Sequence, residues 1–155
     1  MYVDVHSVRP DPSRPNTLYA VTGAGFYAST DAGRSWRAQM ANVRNTYTVG
    51  LSVHPNRAGV LLVAAGDRPP GRNARLYRSD DGGATWAAIA DRALPDPFPR
   101  AAVPLLTATG AWLGADDGRL FHAAETSEPW QPVAELPGAI NCLAVAGESP
   151  SSVMH

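Results

Sequence analysis

The chain has 155 residues, and its 13 lysines and arginines against 14 aspartates and glutamates give a formal net charge of −1. This length fits one compact domain, and so balanced a charge excludes functions that need a strongly basic surface, such as nucleic-acid binding. The 14 glycines and 14 prolines are spread along the chain, which is typical of many short strands joined by turns and favours an all-β protein.

The first predicted unit covers about residues 3–46. It contains two apolar strands joined by a Pro-rich turn in VHSVRPDPSRPNTLYAVTG (5–23), and the third strand lies in FYAST (26–30). No stretch has helical periodicity, and the turns between the runs are rich in Gly, Pro, Asn and Asp. The unit therefore reads as a small antiparallel sheet.

The same order of elements recurs along the chain. In the second unit (about 47–99) the predicted strands cover 48–54, 59–65, 74–79 and 85–90, with LYRSD (76–80) matching FYAST. The third unit (about 100–139) keeps AAVPLLTATGAWLGA (101–115) and LFHAA (120–124), and INCLAVAG (140–147) begins a fourth. Four strands in a repeat of this size are typical of propeller blades. The predicted fold is all-β: a partial β-propeller of about three four-stranded antiparallel blades plus the first strand of a fourth.

A polar octapeptide closes the third strand of the first two units. It reads STDAGRSW at 29–36 and SDDGGATW at 79–86, and AAETSEPW, ending at Trp130, is a degraded third copy. A short Asp side chain accepts hydrogen bonds from its own turn, and Gly tolerates the positive φ that such a turn requires. The shared positions are Ser29, Asp31, Gly33, Ser35 and Trp36, and Ser79, Asp81, Gly83, Thr85 and Trp86. We expect these Trp side chains to be wedged beside an adjoining sheet.

This octapeptide resembles the Asp-box, or BNR repeat, of sialidases, sortilin-type receptors, xyloglucanase-like glycosidases and the photosystem II stability factor family. The resemblance covers nearly the whole chain as three blades and implies that the octapeptide is a structural hairpin on the blade periphery. A metal-binding or catalytic role for Asp31 and Asp81 is the alternative. The calcium loop D-x-[DN]-x-[DN]-G has further acidic ligands, which DAG and DDGG lack.

The resemblance also implies that ligands bind near the central channel. The loops expected on that face are NVRNTY (42–47), GDRPPGRNAR (66–75), DRALPDPFPR (91–100) and GADDGR (114–119). The second of these is longer than its counterpart TGAG (22–25) and carries Asp67, Arg68, Arg72, Asn73 and Arg75. Arginine forks can bind a carboxylate or phosphate in bidentate fashion, although a solvated insertion would have the same composition.

Three of the other carboxylates in these loops, Asp96, Asp116 and Asp117, are further candidates for the ligand face. Asp116 and Asp117 are either a general acid/base pair or an ordinary turn, and DDG is turn chemistry. The Arg triad and the Phe/Tyr-Arg-Ile-Pro stretch of a sialidase cannot be located, since SVRPDP lacks the aromatic residue and the Ile. The residues thus offer no complete catalytic set.

The remaining reactive side chains form no constellation. The histidines His6, His54, His122 and His155 lack zinc-site spacing and are predicted as surface or turn residues. The lone Cys142 is predicted to be buried and inert. No metal and no cofactor are predicted, and no apolar run is long enough for a membrane helix or a signal peptide. The families that this chain resembles are often extracellular or periplasmic, whereas the sequence itself carries no signal peptide, so no localisation is predicted.

Three blades do not close a ring, because closed propellers have 4 to 8. The open edges predict either further blades of a longer protein or self-association. The preferred function is a non-catalytic scaffold that binds a protein or a glycan at the loop from Asp67 to Arg75. The alternative is a fragment of a secreted glycoside hydrolase, sialidase- or xyloglucanase-like, with some catalytic residues outside this chain.

Overall fold

The computed structural model describes residues 4–40, 42–100 and 102–146. Residue 3, at the predicted start of the first unit, residue 147 and His155 lie outside these ranges. Within them the chain forms twelve strands in three four-stranded antiparallel sheets and no helix, so the all-β prediction is confirmed. No helix that is long and apolar enough to cross a lipid bilayer is formed by the described residues.

The three sheets follow one another along the chain, and in each the strands keep their sequence order. Sheet 1 consists of β1 (Val5–Pro10), β2 (Leu18–Thr22), β3 (Gly25–Ser29) and β4 (Arg37–Ala38). Sheet 2 consists of β5 (Tyr47–Val53), β6 (Leu61–Gly66), β7 (Arg75–Ser79) and β8 (Ala87–Ala88). Sheet 3 consists of β9 (Val103–Thr107), β10 (Gly110–Gly114), β11 (Arg119–Ala123) and β12 (Gln131–Glu135).

Sheet 2 is sandwiched between its two neighbours. The strand β6 is buried at every position, which explains why LLVAAG is a continuous apolar run rather than an alternating one. Successive side chains of a strand point to opposite faces. Leu61 and Val63 therefore join the core shared with sheet 1, whereas Leu62 and Ala64 join the core shared with sheet 3.

The Trp residues that follow the octapeptide turns differ in their packing. Trp86 and Trp130 are buried, at 6% and 2% exposure, in the cores on either side of sheet 2. Trp36 is 38% exposed, so the expectation that it is wedged beside an adjoining sheet is wrong. The reason is positional: Trp86 packs on sheet 1, and no described sheet precedes sheet 1.

The segment after sheet 3 departs from the expected start of a fourth unit. Residues 140–146 form no strand; they run along sheet 3, where the Ile140 amide donates to the Ala115 carbonyl at 3.1 Å. A strand needs a partner to complete its hydrogen bonds, and the described part of the chain offers none there. Cys142 in this segment is exposed, so the prediction that it is buried is wrong.

His54, predicted as a surface or turn residue, lies at the turn after β5 and is only 4% exposed. Its Nδ1 accepts hydrogen bonds from the amides of Asn56 and Arg57, both at 3.0 Å. Asp11 occupies the position in sheet 1 that His54 occupies in sheet 2. The His54 amide donates to the Val60 carbonyl, and the Asp11 amide donates to the Thr17 carbonyl in the same way. Both side chains therefore hold the turn between the first two strands of their sheets.

Candidate functional site

The octapeptide turns are built alike in sheets 1 and 2. The Ser29 hydroxyl donates to Asp31 Oδ1 at 2.8 Å and accepts from the Gly33 amide at 2.9 Å. Asp31 in turn accepts from the amide and the hydroxyl of Ser35, at 2.9 and 2.7 Å. Hydrogen bonds from Ser35 and Ser29 lower the Asp31 pKa to about 2. All of these partners belong to the turn itself.

The second turn repeats this network with Ser79, Asp81 and Thr85. Asp81 accepts from the Thr85 amide at 2.9 Å and from its hydroxyl at 2.6 Å, and these bonds lower the Asp81 pKa. Gly83 has a φ of 92° and lies so close to sheet 1 that an added Cβ would clash with the Phe26 ring. Gly33, at a φ of 85°, would meet only Leu18 and Trp36 of its own sheet.

A groove of about 670 Å³ runs along the innermost strands of the three sheets. Its walls are β1, β5 and β9, and its upper end is the end at which β1, β5 and β9 each begin. The side chains and backbone of the wall are mostly small or apolar, with charges from Arg9, Arg100 and Asp116. Its volume lies within the range of small-molecule and cofactor sites, about 300 to 1,000 Å³.

Three of the predicted ligand loops meet at the upper end of this groove, which we call the upper rim and define by residues 66–75, 91–100 and 114–119. Pro70, Arg100 and Asp116, one from each loop, line the groove together. The Arg100 Nε lies 3.8 Å from Asp116 Oδ2. No local sequence signal identified this pair, since Arg100 and Asp116 come from different loops.

The loop 66–75 forms a hairpin that is held by internal hydrogen bonds, and its residues 67–70, 72 and 73 are exposed to solvent. The Asp67 amide donates to the Arg72 carbonyl at 2.9 Å, and the Asn73 side chain donates to Asp67 Oδ2 at 2.8 Å. Arg68 comes only within 4.0 Å of Asp67. Asn73 adopts a positive φ of 51°, a conformation that Asn tolerates better than most residues. The Asn45 side chain donates to the Asn73 carbonyl at 3.3 Å and ties this hairpin to the loop 42–47.

The loop 91–100 is fixed beside it. Phe98 and Leu94 are buried in the core between sheets 2 and 3, and Phe98 and Ala74 exchange backbone hydrogen bonds of 2.8 and 2.9 Å. At the surface, Arg75 Nε donates to Asp96 Oδ1 at 2.7 Å. The Arg75 and Asp96 side chains are both about half exposed, so this contact positions the loop more than it stabilises the fold.

Asp116 and Asp117 have separate partners. The Asp117 carboxylate accepts from Arg119 at 2.6 Å, and this hydrogen bond lowers the pKa of Asp117. Asp117 does not line the groove, whereas Asp116 does. The two neighbouring carboxylates therefore do not act on one point in the groove.

A smaller polar group lies at the upper end of β1 and β5. The ring of His6 contacts the Thr48 carbonyl through Nδ1 at 2.5 Å and Asp4 through Nε2 at 3.1 Å. The Tyr47 hydroxyl lies 3.3 Å from the same Nε2. No sequence pattern indicates this group, because its members meet only when sheets 1 and 2 pack. Among the described residues, no three His, Cys, Asp or Glu side chains converge as metal ligands.

Comparison with known proteins supports a propeller. No protein-family model matches the chain. A xyloglucanase from Hypocrea jecorina (strain QM6a) is 35% identical over 85 residues, which cover 55% of this chain and 10% of the xyloglucanase. This relative is therefore about ten times longer than the matched part.

Solved structures match a larger part of the chain at lower identity. The GH74 xyloglucanase from Xanthomonas campestris superposes with a TM-score of 0.66 and 16% identity, covering 84% of this chain and 21% of the enzyme. YCF48 from Cyanidioschyzon merolae gives a TM-score of 0.63 and 17% identity over 84% of this chain and 37% of YCF48. YCF48 bound to D1 peptide gives 0.58 and 17%. The chain thus spans well under half of each of these proteins and shares their fold.

Proposed function

We propose that this chain is a non-catalytic section of an Asp-box β-propeller and that it binds an extended polymer, glycan or protein, at the upper rim. The observation that carries the proposal is the meeting of three loops at the mouth of the groove, where Pro70, Arg100 and Asp116 line the same surface. Ordered loops on a rigid scaffold are where binding sites usually lie. The octapeptide turns serve as structural hairpins, because their polar groups are used within the turn.

The groove and its upper rim combine an apolar surface with hydrogen-bonding groups, as a polymer-binding site requires. Small and apolar side chains line the length of the groove, and Arg100 with Asp116 supplies a donor and an acceptor at one end. Arg68 and Arg72 are exposed on the adjacent hairpin and are suited to acceptor groups of a ligand. YCF48, which shares the fold, has been solved with a bound peptide, and xyloglucanases also share it.

The carboxylates of the rim favour binding over hydrolysis. Glycoside hydrolysis canonically uses two carboxyl groups that flank the scissile bond. Asp67, Asp96 and Asp116 each lie in a different loop and contact a donor of the rim itself, namely Asn73, Arg75 and Arg100. Each of these carboxylates is therefore already engaged by a residue of the rim.

Binding is tested by isothermal titration of the 155-residue chain with xyloglucan oligosaccharide and, separately, with carboxymethylcellulose. We expect Asp116→Asn and Arg100→Ala to weaken binding, whereas the matched control Asp117→Asn leaves it unchanged because Asp117 does not line the groove and pairs with Arg119. Equal losses from Asp116→Asn and Asp117→Asn would contradict the proposed site. Absence of binding to either glycan would leave a protein as the ligand.

A fragment of a glycoside hydrolase is the second candidate, and the 35% identity to a xyloglucanase favours it. Some of its catalytic acids would then lie outside this chain. Release of reducing ends from xyloglucan measures this activity. Turnover that is abolished by Asp67→Asn, Asp96→Asn or Asp116→Asn would overturn the non-catalytic proposal.

A further inference from the structure

The outer face of sheet 1 is an apolar surface that points away from sheet 2. Val8 and Trp36 on this surface are 46% and 38% exposed, and Leu18 and Tyr27 are half-buried. We call these four residues the leading face. Leu18 and Trp36 are neighbours, since both lie within 4 Å of the Cβ position of Gly33.

The corresponding face of sheet 2 shows what such a surface contacts. The ring of Trp86 packs edge-on against Phe26 of sheet 1, with centroids 4.9 Å apart, and Phe26 stacks on Tyr19. The Trp86 indole donates to the Gln39 carbonyl at 2.8 Å, across the boundary between the sheets. Among the residues that the structure describes, the Trp36 indole has no such neighbour, and its N–H donates to the Gly33 carbonyl of its own turn at 3.1 Å.

The strand registers identify the residues of sheet 3 that match Tyr19 and Phe26. Leu18 pairs with Ser29 in sheet 1, and Ala111 pairs with Ala123 in sheet 3. Tyr19 therefore corresponds to Trp112. Phe26 precedes Ser29 by the same number of residues as Leu120 precedes Ala123, so it corresponds to Leu120.

Trp112 and Leu120 line an apolar groove of about 400 Å³ on the outer face of sheet 3. Leu105 also lines this groove, as do Leu143 and Val145 of the segment that follows sheet 3. We call this groove the trailing groove. Its position on sheet 3 corresponds to the part of sheet 1 that contacts Trp86, the octapeptide Trp of sheet 2.

We propose that two copies of this chain associate head to tail, with Trp36 of each copy inserted into the trailing groove of the other. This inference is independent of the proposed function. The occupant is a second copy because the leading face and the trailing groove repeat the two halves of the interface between sheets 1 and 2. The contact joins the leading face of one copy to the trailing groove of the other. Every leading face and every trailing groove is therefore covered only when the copies close into a ring. Two copies give six sheets, within the 4 to 8 of closed propellers.

Sedimentation velocity of the 155-residue chain over a range of concentrations tests this proposal. We expect a species of twice the chain mass of 16.4 kDa that dissociates on dilution. Trp36→Ser and Leu120→Arg should each weaken association about thirty-fold or more, as for a buried aromatic hot spot. The control Leu136→Ser removes an exposed apolar side chain outside both surfaces and should leave association unchanged.

Mixing the two variants distinguishes the interface from a folding defect. A Leu120→Arg copy still offers Trp36, and a Trp36→Ser copy still offers an intact trailing groove, so one of the two contacts re-forms. We expect the mixture to associate more strongly than either variant alone, with unchanged circular dichroism for each. A wild-type chain that stays monomeric, a dimer insensitive to both variants, or open polymers in place of a dimer would each overturn the proposal.

Discussion

Replacing Trp86 with Ala tests whether the octapeptide Trp joins neighbouring sheets. Trp86 is 6% exposed, packs edge-on against Phe26 and donates its indole N–H to the Gln39 carbonyl. Truncation of such a side chain costs about 3 to 5 kcal/mol through lost burial and the cavity that remains. The same change at Trp36, which is 38% exposed and donates its indole N–H to Gly33 of its own turn, should cost about 1 to 2 kcal/mol.

Urea unfolding, followed by circular dichroism, and calorimetry measure both variants. For a chain of this size each kcal/mol lowers the Tm by about 2 to 4 °C, so Trp86→Ala should unfold about 2 °C or more below Trp36→Ala. The samples are diluted until the wild-type chain is monomeric, because association would bury Trp36. Equal destabilisation of the two dilute variants would refute the assignment of Trp86 as the residue that holds sheet 2 on sheet 1.

Three further predictions concern stability. Hydrogen bonds lower the pKa of Asp31 to about 2, so its contribution to stability is complete above the unfolded pKa of about 4 and is lost as the pH falls toward 2. Asp31→Asn should therefore flatten the pH dependence of the urea midpoint between about pH 4 and pH 2. An unchanged pH dependence in this variant would contradict the prediction. Burial lowers the pKa of His54, so the free energy of unfolding should fall as the pH drops below about 6.5. His54→Asn should remove this loss, because the Asn Oδ1 can still accept from the turn amides of Asn56 and Arg57. Thermal melts at pH 7 and pH 5 measure the difference. Gly83→Ala should cost more than Gly33→Ala by about 1 to 3 kcal/mol in urea titrations, because both residues have a positive φ but only Gly83 faces the Phe26 ring; matching losses would show that the sheets are not in contact there.

The candidate site could be predicted in part. The resemblance to Asp-box propellers implied that the loops 66–75, 91–100 and 114–119 lie on the ligand-binding face, and these loops do come together in the structure. The sequence did not identify the Arg100 and Asp116 pair, because the distance between two loops depends on how sheets 2 and 3 pack. It also treated Asp116 and Asp117 as equals, although only Asp116 faces the groove.

Buried polar residues were the least predictable. In the sequence, Asp11 belongs to an ordinary Pro-rich turn, yet in the structure it is only 4% exposed. Its carboxylate accepts hydrogen bonds from the Tyr19 hydroxyl at 2.9 Å and from the Gly59 amide of sheet 2 at 3.0 Å. Burial and the bond to Asp11 raise the pKa of Tyr19 to about 12. The partners are distant in sequence, so no local pattern distinguishes this Asp from a solvated one.

The sequence by itself determined the strands, their order in each sheet and the octapeptide turns, because short-range alternation, turn residues and hydrogen bonds within eight residues decide them. Only the tertiary structure decided which faces of the sheets meet. It buried Trp86 and left Trp36 exposed, although both close the same motif, since burial depends on the neighbouring sheet and not on the turn. For the same reason residues 140–146 form no strand: an apolar run becomes a strand only where a partner completes its hydrogen bonds.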